Sequence, residues 1–308
     1  MAFLEVKDLK VYYPIRGGFF KRVIDYVKAV DGINIRLEQG ETYGLVGESG
    51  CGKSTTGRAL LKLTKTTSGQ VLFNGTDLTS VSAHKMHELR KDIQMIFQDP
   101  YSSLNPKKRI VDIIAEPLRN YEHLSRKEEN KVAREYMERV GLSSDSIYKY
   151  PHEFSGGQRQ RIGIARALTL NPKLIVADEP VSALDVSVQA QVLNFMQDIQ
   201  KEFNLTYLFI SHDLGVIRHM CDRIGIMYQG RLVEEGLSRD IYENPQHIYT
   251  KRLISAIPNI DPAHREKQSA IRHQINDEYN KSYKNYFDND GKAYQLKAIS
   301  PTHFVALP

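Results

Sequence analysis

Residues 47–55 read GESGCGKST, set between the apolar run TYGLV (42–46) and the helix-like stretch STTGRALLKLTK. A strand, a glycine-rich turn and a helix in that order restrict the chain to α/β architectures in which backbone N–H groups ring a phosphate. Gly47, Gly50 and Gly52 leave room for the turn, while Glu48, Ser49 and Cys51 complete it. Lys53 places a cation at the β- and γ-phosphates, Ser54 offers a hydroxyl to Mg²⁺, and Thr55 continues into the helix. The helix N-terminus adds its dipole, which should also lower the Cys51 thiol pKa and make it reactive, with ATP protecting it from alkylation. Alone, this loop says only that a nucleoside triphosphate binds.

The surrounding pattern extends the α/β reading. Residues 3–13, FLEVKDLKVYY, form a β-rich run that leads to Pro14 and a Gly17–Gly18 turn. INIRL (33–37), SGQVLFNG (68–75) and DIQMIF (92–97) are further strands. From Asp99 to about Leu170 helix-like stretches dominate, including KEENKVAREYMERVG (127–141) and QRQRIGIARALTL (158–170). LIVAD (174–178) and TYLFIS (206–211) are continuous apolar strands, as in a parallel sheet covered on both faces. Val188, Val192, Phe195, Met196, Ile199 and Phe203 form a helical stripe expected to be core. RIGIMYQGRLVEEG (223–236) reads as a hairpin turning at Gln229–Gly230. The expected fold is an α/β P-loop NTPase with a mostly parallel core sheet, an antiparallel N-terminal β subdomain and an α-helical subdomain inserted at about 99–170.

Two acids close the LIVAD strand in ADEP. Asp178 is placed to hold Mg²⁺ through water, and Glu179 to orient or deprotonate an attacking water. FSGGQRQR (154–161) follows the same logic from the other side: Ser155 caps a helix, and Gly156 and Gly157 allow close approach to an anion. An ordinary capped helix would account for the same residues. Taken with the phosphate loop, however, this segment resembles the signature of the ATP-binding cassette (ABC) ATPases.

That resemblance implies a set of roles. Ser155, Gly156, Gly157 and Gln158 would contact the γ-phosphate of ATP held by a second cassette, and Asp185 in SALD (182–185) would line the same interface. Gln98 in IFQDP resembles the glutamine that contacts Mg²⁺ and the attacking water, and His212 in FISHD the histidine that touches the γ-phosphate. Tyr13 is the expected adenine-stacking aromatic, with Tyr12 the competing choice. Glu179, His212 and Gln98 are thus the expected catalytic set, and Ser54, Gln98 and Asp178 the Mg²⁺ set.

Several alternatives fall away. Lys53 and Ser155 stand only 102 residues apart without sustained heptads, which disfavours the coiled-coil chromosome-organising ABC ATPases, and the net charge of +5 is too small to single out nucleic acid. No run of 18 apolar residues is present, so membrane-spanning permeases would be separate chains. The N-terminus, MAFLEVKDLK, lacks the apolar stretch of a signal peptide.

RGGFFKRVIDYVKAVDGI (16–33), DPYSSLNPKKRIVDIIAEPL (99–118), ADEPVSALDVSVQAQ (177–191) and NPQHIYTKRLISAIPNIDP (244–262) resemble the oligopeptide/dipeptide importer ATPases, the F-type subunits most of all. This implies a peripheral protein on the cytoplasmic face of a bacterial, Gram-positive cell membrane. Its expected partners are a related second ABC ATPase subunit, two permease subunits and, indirectly, an extracellular peptide-binding protein; nucleic acid is not among them. Nickel importers share these motifs and remain an alternative, with a soluble non-transport ABC ATPase behind them. Many relatives bind an iron–sulfur centre beyond the NPxHxYT region, but no cysteine follows Cys221 here, and no such cluster is expected. Residues 1–258 are read as the ATPase domain and 259–308 as an extension carrying Tyr279, Tyr283, Tyr286 and Phe287, either docked on the body or solvated.

Overall fold

The computed structural model describes residues 2–99, 101, 103–257 and 265–308, the side chains of 265–268 excepted. Residues 258–262, which end the NPQHIYT stretch and include the 258/259 boundary, lie outside the described residues, as do Pro100 and Ser102 of the DPYSSLNP stretch. The chain forms two compact units, one of 1–80 with 209–308 and one of 81–208.

In the first unit a four-stranded antiparallel sheet has the spatial order Arg22–Leu37, Leu4–Gly17, Ser68–Phe73, Thr76–Asp77. The inner half of its long hairpin buries Leu4, Val6, Leu9 and Val11 together with Val30, Ile33, Ile35 and Leu37. Expected to stop before Pro14, the first strand instead runs to Gly17, and its partner begins at Arg22. Beyond Lys10 this strand pairs, among the described residues, only with Arg22–Leu37, so the missing N–H of Pro14 leaves no second neighbour unpaired there. The outer half escaped the sequence reading because both of its faces are exposed, Phe19 to 97%, which erases the alternation on which such a reading depends.

The same unit contains Thr42–Val46, buried along its whole length and parallel to Arg223–Tyr228. Arg223–Tyr228 turns back on Arg231–Leu237 through Gln229 (φ 44°) and Gly230 (φ 84°), the left-handed pair expected of a two-residue hairpin turn. Strand His303–Ala306 pairs with Arg231–Leu237, and Leu296–Ser300 pairs with it in turn. Part of the segment beyond 258 is therefore built into a sheet.

The Tyr279–Phe287 aromatics do not share one helix: it ends at Ser282 and a 3₁₀ turn spans Tyr283–Tyr286. They are docked nonetheless. Phe287 packs on Tyr228 (centroids 5.0 Å apart), Tyr286 meets His247 (4.9 Å), and the Arg252 guanidinium lies 4.5 Å over the Tyr279 ring.

In the second unit Ile93–Ile96 runs parallel to Leu174–Asp178. Between them in sequence come the helices Ile110–Arg119, Arg126–Arg139 and Gly156–Leu168, the expected helical insertion. Arg119 and Arg126 converge on Asp112 and Glu129; the Arg119 hydrogen bonds outweigh burial and hold Glu129 below the usual carboxylate range. Helix Val186–Phe203 buries Val192, Met196 and Ile199. Val188, Phe195 and Phe203 are only half-buried, because the stripe is wider than the surface that covers it. A short helix, Ala83–Leu89, was not anticipated; it buries only Met86, too little to imprint a period.

Candidate nucleotide site

The phosphate loop leaves the buried strand Thr42–Val46 and enters helix Lys53–Leu60 through Gly52, whose φ of 108° requires glycine. A Cβ on Gly47 would stand 2.1 Å from the Met227 carbonyl oxygen, and one on Gly52 2.0 Å from that of Ala29. The loop is thus pressed against backbone on two sides. No side chain caps the helix and no acid occupies its first turn, so its leading N–H groups suit an anion. Lys53, 4% exposed, donates to the carbonyls of Gly47 (2.7 Å) and Glu48 (2.9 Å). Glu48, Ser49 and Gly50 are exposed, while Ser54 and Thr55 are half-buried.

Cys51 departs from expectation. The residue is 7% exposed, and burial raises its thiol pKa against the lowering influence of Lys53. Desolvation of the thiolate outweighs the helix terminus and the ammonium.

Two further contacts hold the loop, and neither was foreseen. The Gly230 N–H donates to the Cys51 carbonyl (2.9 Å), and the Glu48 N–H donates to the Tyr249 hydroxyl (3.1 Å). Tyr249 sits in NPQHIYT, a stretch valued in the sequence only for its resemblance.

Also in the first unit, Tyr12 and Tyr13 differ clearly. The Tyr12 hydroxyl donates to Asp31, and burial together with that carboxylate pushes its pKa up to about 12. Asp31 is also gripped by Arg231 at 2.8 Å. Tyr13 is 43% exposed. His212 is exposed beyond strand Thr206–Ser211, and the next residue, Asp213, caps a short helix by accepting from Gly215 N–H at 2.8 Å.

In the second unit Asp178 is 1% exposed at the end of its strand. Glu179 follows with φ 47°, a left-handed backbone in a residue that rarely adopts one. Its carboxylate accepts a 2.8 Å hydrogen bond from Gln98 Nε2, so two residues far apart in sequence meet as a pair. Ser155 and Gln158 form a reciprocal capping box on helix Gly156–Leu168: Ser155 Oγ accepts from Gln158 N–H and Gln158 Oε1 from Ser155 N–H. Gly156 is half-buried and has room for a Cβ, whose nearest neighbour would be Leu184 Cδ2 at 3.6 Å, whereas a Cβ on Gly157 would lie 2.3 Å from Val188 Cγ1. Asp185 is exposed at the start of helix Val186–Phe203, and Gln189 braces the preceding turn through the Val181 and Leu184 carbonyls. Tyr101 and Ser103, just beyond Gln98, are tied to the signature helix: Arg159 lies 4.1 Å over the Tyr101 ring and Arg166 donates to the Ser103 carbonyl.

The ABC transporter family matches residues 30–182, and the oligopeptide/dipeptide transporter C-terminal region matches residues 233–289. The oligopeptide transport ATP-binding protein OppF of Lactococcus lactis subsp. lactis is 56% identical over 99% of this chain and 96% of its own length. This chain is an ABC ATPase of the oligopeptide/dipeptide transporter family. OppF of Bacillus subtilis is 49% identical over 98% of the chain and 95% of its own length. The glutathione import protein GsiA of Salmonella paratyphi A is 47% identical over 99% of the chain, which spans 48% of that relative. Among solved structures, the ABC ATPase resembles a dimeric ATP-binding cassette, MJ0796, bound to ADP and Pi, with TM-score 0.68 and 28% identity over 77% of this chain and 99% of that one. The fold is therefore that of an ATP-hydrolysing cassette. No helix among the described residues is long and apolar enough to cross a membrane.

Proposed function

We propose that this ABC ATPase energises the import of oligopeptides or dipeptides, working as one of a pair of cassettes attached to two separate permease subunits on the cytoplasmic face of a Gram-positive cell membrane. The observation that carries the hydrolytic reading is the Gln98–Glu179 hydrogen bond, which orients a carboxylate of the kind that serves as a general base. The transport reading rests on the match over 233–289 and the likeness to the OppF relatives.

The roles follow from the chemistry of each group. Lys53 and the loop N–H groups neutralise and hold the phosphates. Glu179 takes the proton of the attacking water, and Gln98 orients that carboxylate. His212 donates to the γ-phosphate, and Tyr13, whose ring is the more open of the two tyrosines, stacks on adenine. The capped Ser155–Gln158 segment and Asp185 serve the nucleotide of the second cassette. Mg²⁺ suits these residues, since their donors are hydroxyl, amide and carboxylate oxygens and Mg²⁺ is commonly held by one or two protein oxygens plus substrate phosphates. Ser54 and Gln98 would supply those oxygens and Asp178 would hold the ion through water, and the ion would screen the phosphate charge. Residues 259–308 are read as a family-specific extension of the ATPase domain 1–258. The peptide itself meets the permeases and an extracellular binding protein, and nucleic acid has no part.

Glu179→Gln tests the hydrolytic reading. It should abolish phosphate release, by about 100-fold or more, while MgATP binding persists; turnover retained by this variant would remove Glu179 from the role. A glutathione load is the second reading, favoured by the GsiA likeness. Uptake of labelled tetrapeptide and of labelled glutathione, each measured with and without a working copy of this chain, separates the two.

A further inference from the structure

The phosphate loop has an anchor that its own motif does not contain. At its base the Glu48 N–H donates 3.1 Å to the Tyr249 hydroxyl. Tyr249 is fully buried and opens helix Ile248–Ser255, whose first N–H groups are managed locally: the Tyr249 N–H itself donates to His247 Nδ1 at 3.2 Å. The Tyr249 ring packs 4.7 Å from that of Tyr228, which in turn packs on Phe287. Directly after Tyr228, the Gln229–Gly230 turn supplies the loop's other anchor, Gly230 N–H to the Cys51 carbonyl. Every one of these residues belongs to the first unit, and Tyr249 and Phe287 lie within the matched C-terminal region.

We propose that Tyr249 is a positioning residue of the phosphate loop, through which the C-terminal region sets the loop's affinity for nucleotide. This rests on the reading of residues 47–55 as the phosphate-binding loop. Glu48 begins the turn whose later N–H groups face the phosphates. With Gly47 immobilised against the Met227 carbonyl, a fixed Glu48 N–H leaves the turn little freedom to rotate its peptides away. Losing the hydroxyl leaves a half-buried N–H without its acceptor and lets the loop sample other turns, which weakens nucleotide binding before it touches the chemical step. Aromatic packing alone would predict no such selectivity, because phenylalanine preserves the ring.

The experiment compares Tyr249→Phe with Tyr207→Phe in the full chain. Tyr207 is also fully buried, and its hydroxyl has no hydrogen-bond partner among the described residues, so Tyr207→Phe controls for deleting a buried hydroxyl. MgATP affinity is measured by calorimetry, steady-state kcat and KM by phosphate release, and exchange of the Glu48 amide by hydrogen–deuterium exchange. Tyr249→Phe should raise Kd and KM for MgATP about 3- to 10-fold with kcat within about 2-fold, and speed Glu48 exchange at least about 10-fold. Tyr207→Phe should match the wild type in all three. Unchanged Kd and KM in Tyr249→Phe, or equal effects in the two variants, would overturn the proposal. Should Tyr249→Phe fail to fold, Glu48 exchange in the wild type decides, slow exchange upholding the proposal and free exchange overturning it. Lys53→Ala binding MgATP as tightly as wild type would instead refute the loop reading, and this proposal with it.

Discussion

Glu179 receives a 2.8 Å hydrogen bond from Gln98 Nε2 while its own backbone is held at φ 47°. A left-handed non-glycine residue persists only where its surroundings over-determine it. Here the Ser182 hydroxyl donates to the Glu179 carbonyl at 3.1 Å and Gln98 fixes the side chain. Gln98→Ala should therefore free the carboxylate and lower kcat about 10- to 100-fold, with KM for ATP within about 3-fold. Steady-state phosphate release checks this, and an unaltered kcat would mean that Gln98 does not orient the base.

Cys51 provides a second test, opposite to what its place at a helix start suggests. Because burial holds the thiol protonated at neutral pH, maleimide should label it at least about 10-fold more slowly than a free cysteine in a peptide. The rate should climb steadily as pH rises above 9. Fast labelling at pH 7 would show that the loop opens far more readily than its backbone contacts allow.

The signature helix can be probed where Gly157 meets Val188. Gly157→Ala drives a methyl into Val188 Cγ1, a stiff β-branched side chain on a neighbouring helix, and should cost about 1–3 kcal/mol of stability. Val188→Ala in the same chain should recover most of that loss. Chemical denaturation of the two single variants and the double variant measures the coupling, and strict additivity would deny that the contact is what demands glycine.

His247 gives a pH dependence. Burial lowers its pKa to about 4, against an opposing pull from Glu234, so the folded protein keeps the ring neutral while the unfolded chain takes up a proton below about 6.5. The unfolded state then binds more protons between about 4 and 6.5, so stability falls as pH drops through that window and is unaffected by this group above it. The full effect is about 3 kcal/mol. His247→Asn, which preserves an acceptor for the Tyr249 N–H, should lose less stability than wild type between pH 7.5 and pH 4.5 in thermal melts. Parallel pH profiles would exclude His247 as the cause.

Much of this was legible in the sequence wherever one local pattern decided the outcome. TYGLV and LIVAD are short, wholly buried strands and announced themselves by continuous apolarity; Ser155 announced itself as a helix cap, while its reciprocal bond with Gln158 came only with the fold. Residues 14–32 were opaque because the outer hairpin is exposed on both faces and carries no period. The Glu48–Tyr249 contact joins residues about 200 positions apart, and no local rule reports such a pairing. Cys51 misled for a related reason: its helix terminus is visible in sequence, but the burial that dominates its thiol depends on the fold around it.

The strand His303–Ala306, laid against Arg231–Leu237, bears on how the molecule comes into being. Val81–Leu208 is one uninterrupted stretch, whereas the other unit must reunite 1–80 with 209–308. During synthesis the phosphate loop is made early, yet Arg231–Leu237 does not gain its outer neighbour until residue 306 has left the ribosome. Until then Glu234, which later pairs with His303 at 2.7 Å, belongs to an open edge of the kind that recruits other chains. The nascent protein is thus expected to complete the 81–208 unit first, and a chain stalled before residue 303 should be protease-sensitive in 1–80 while protected across 81–208.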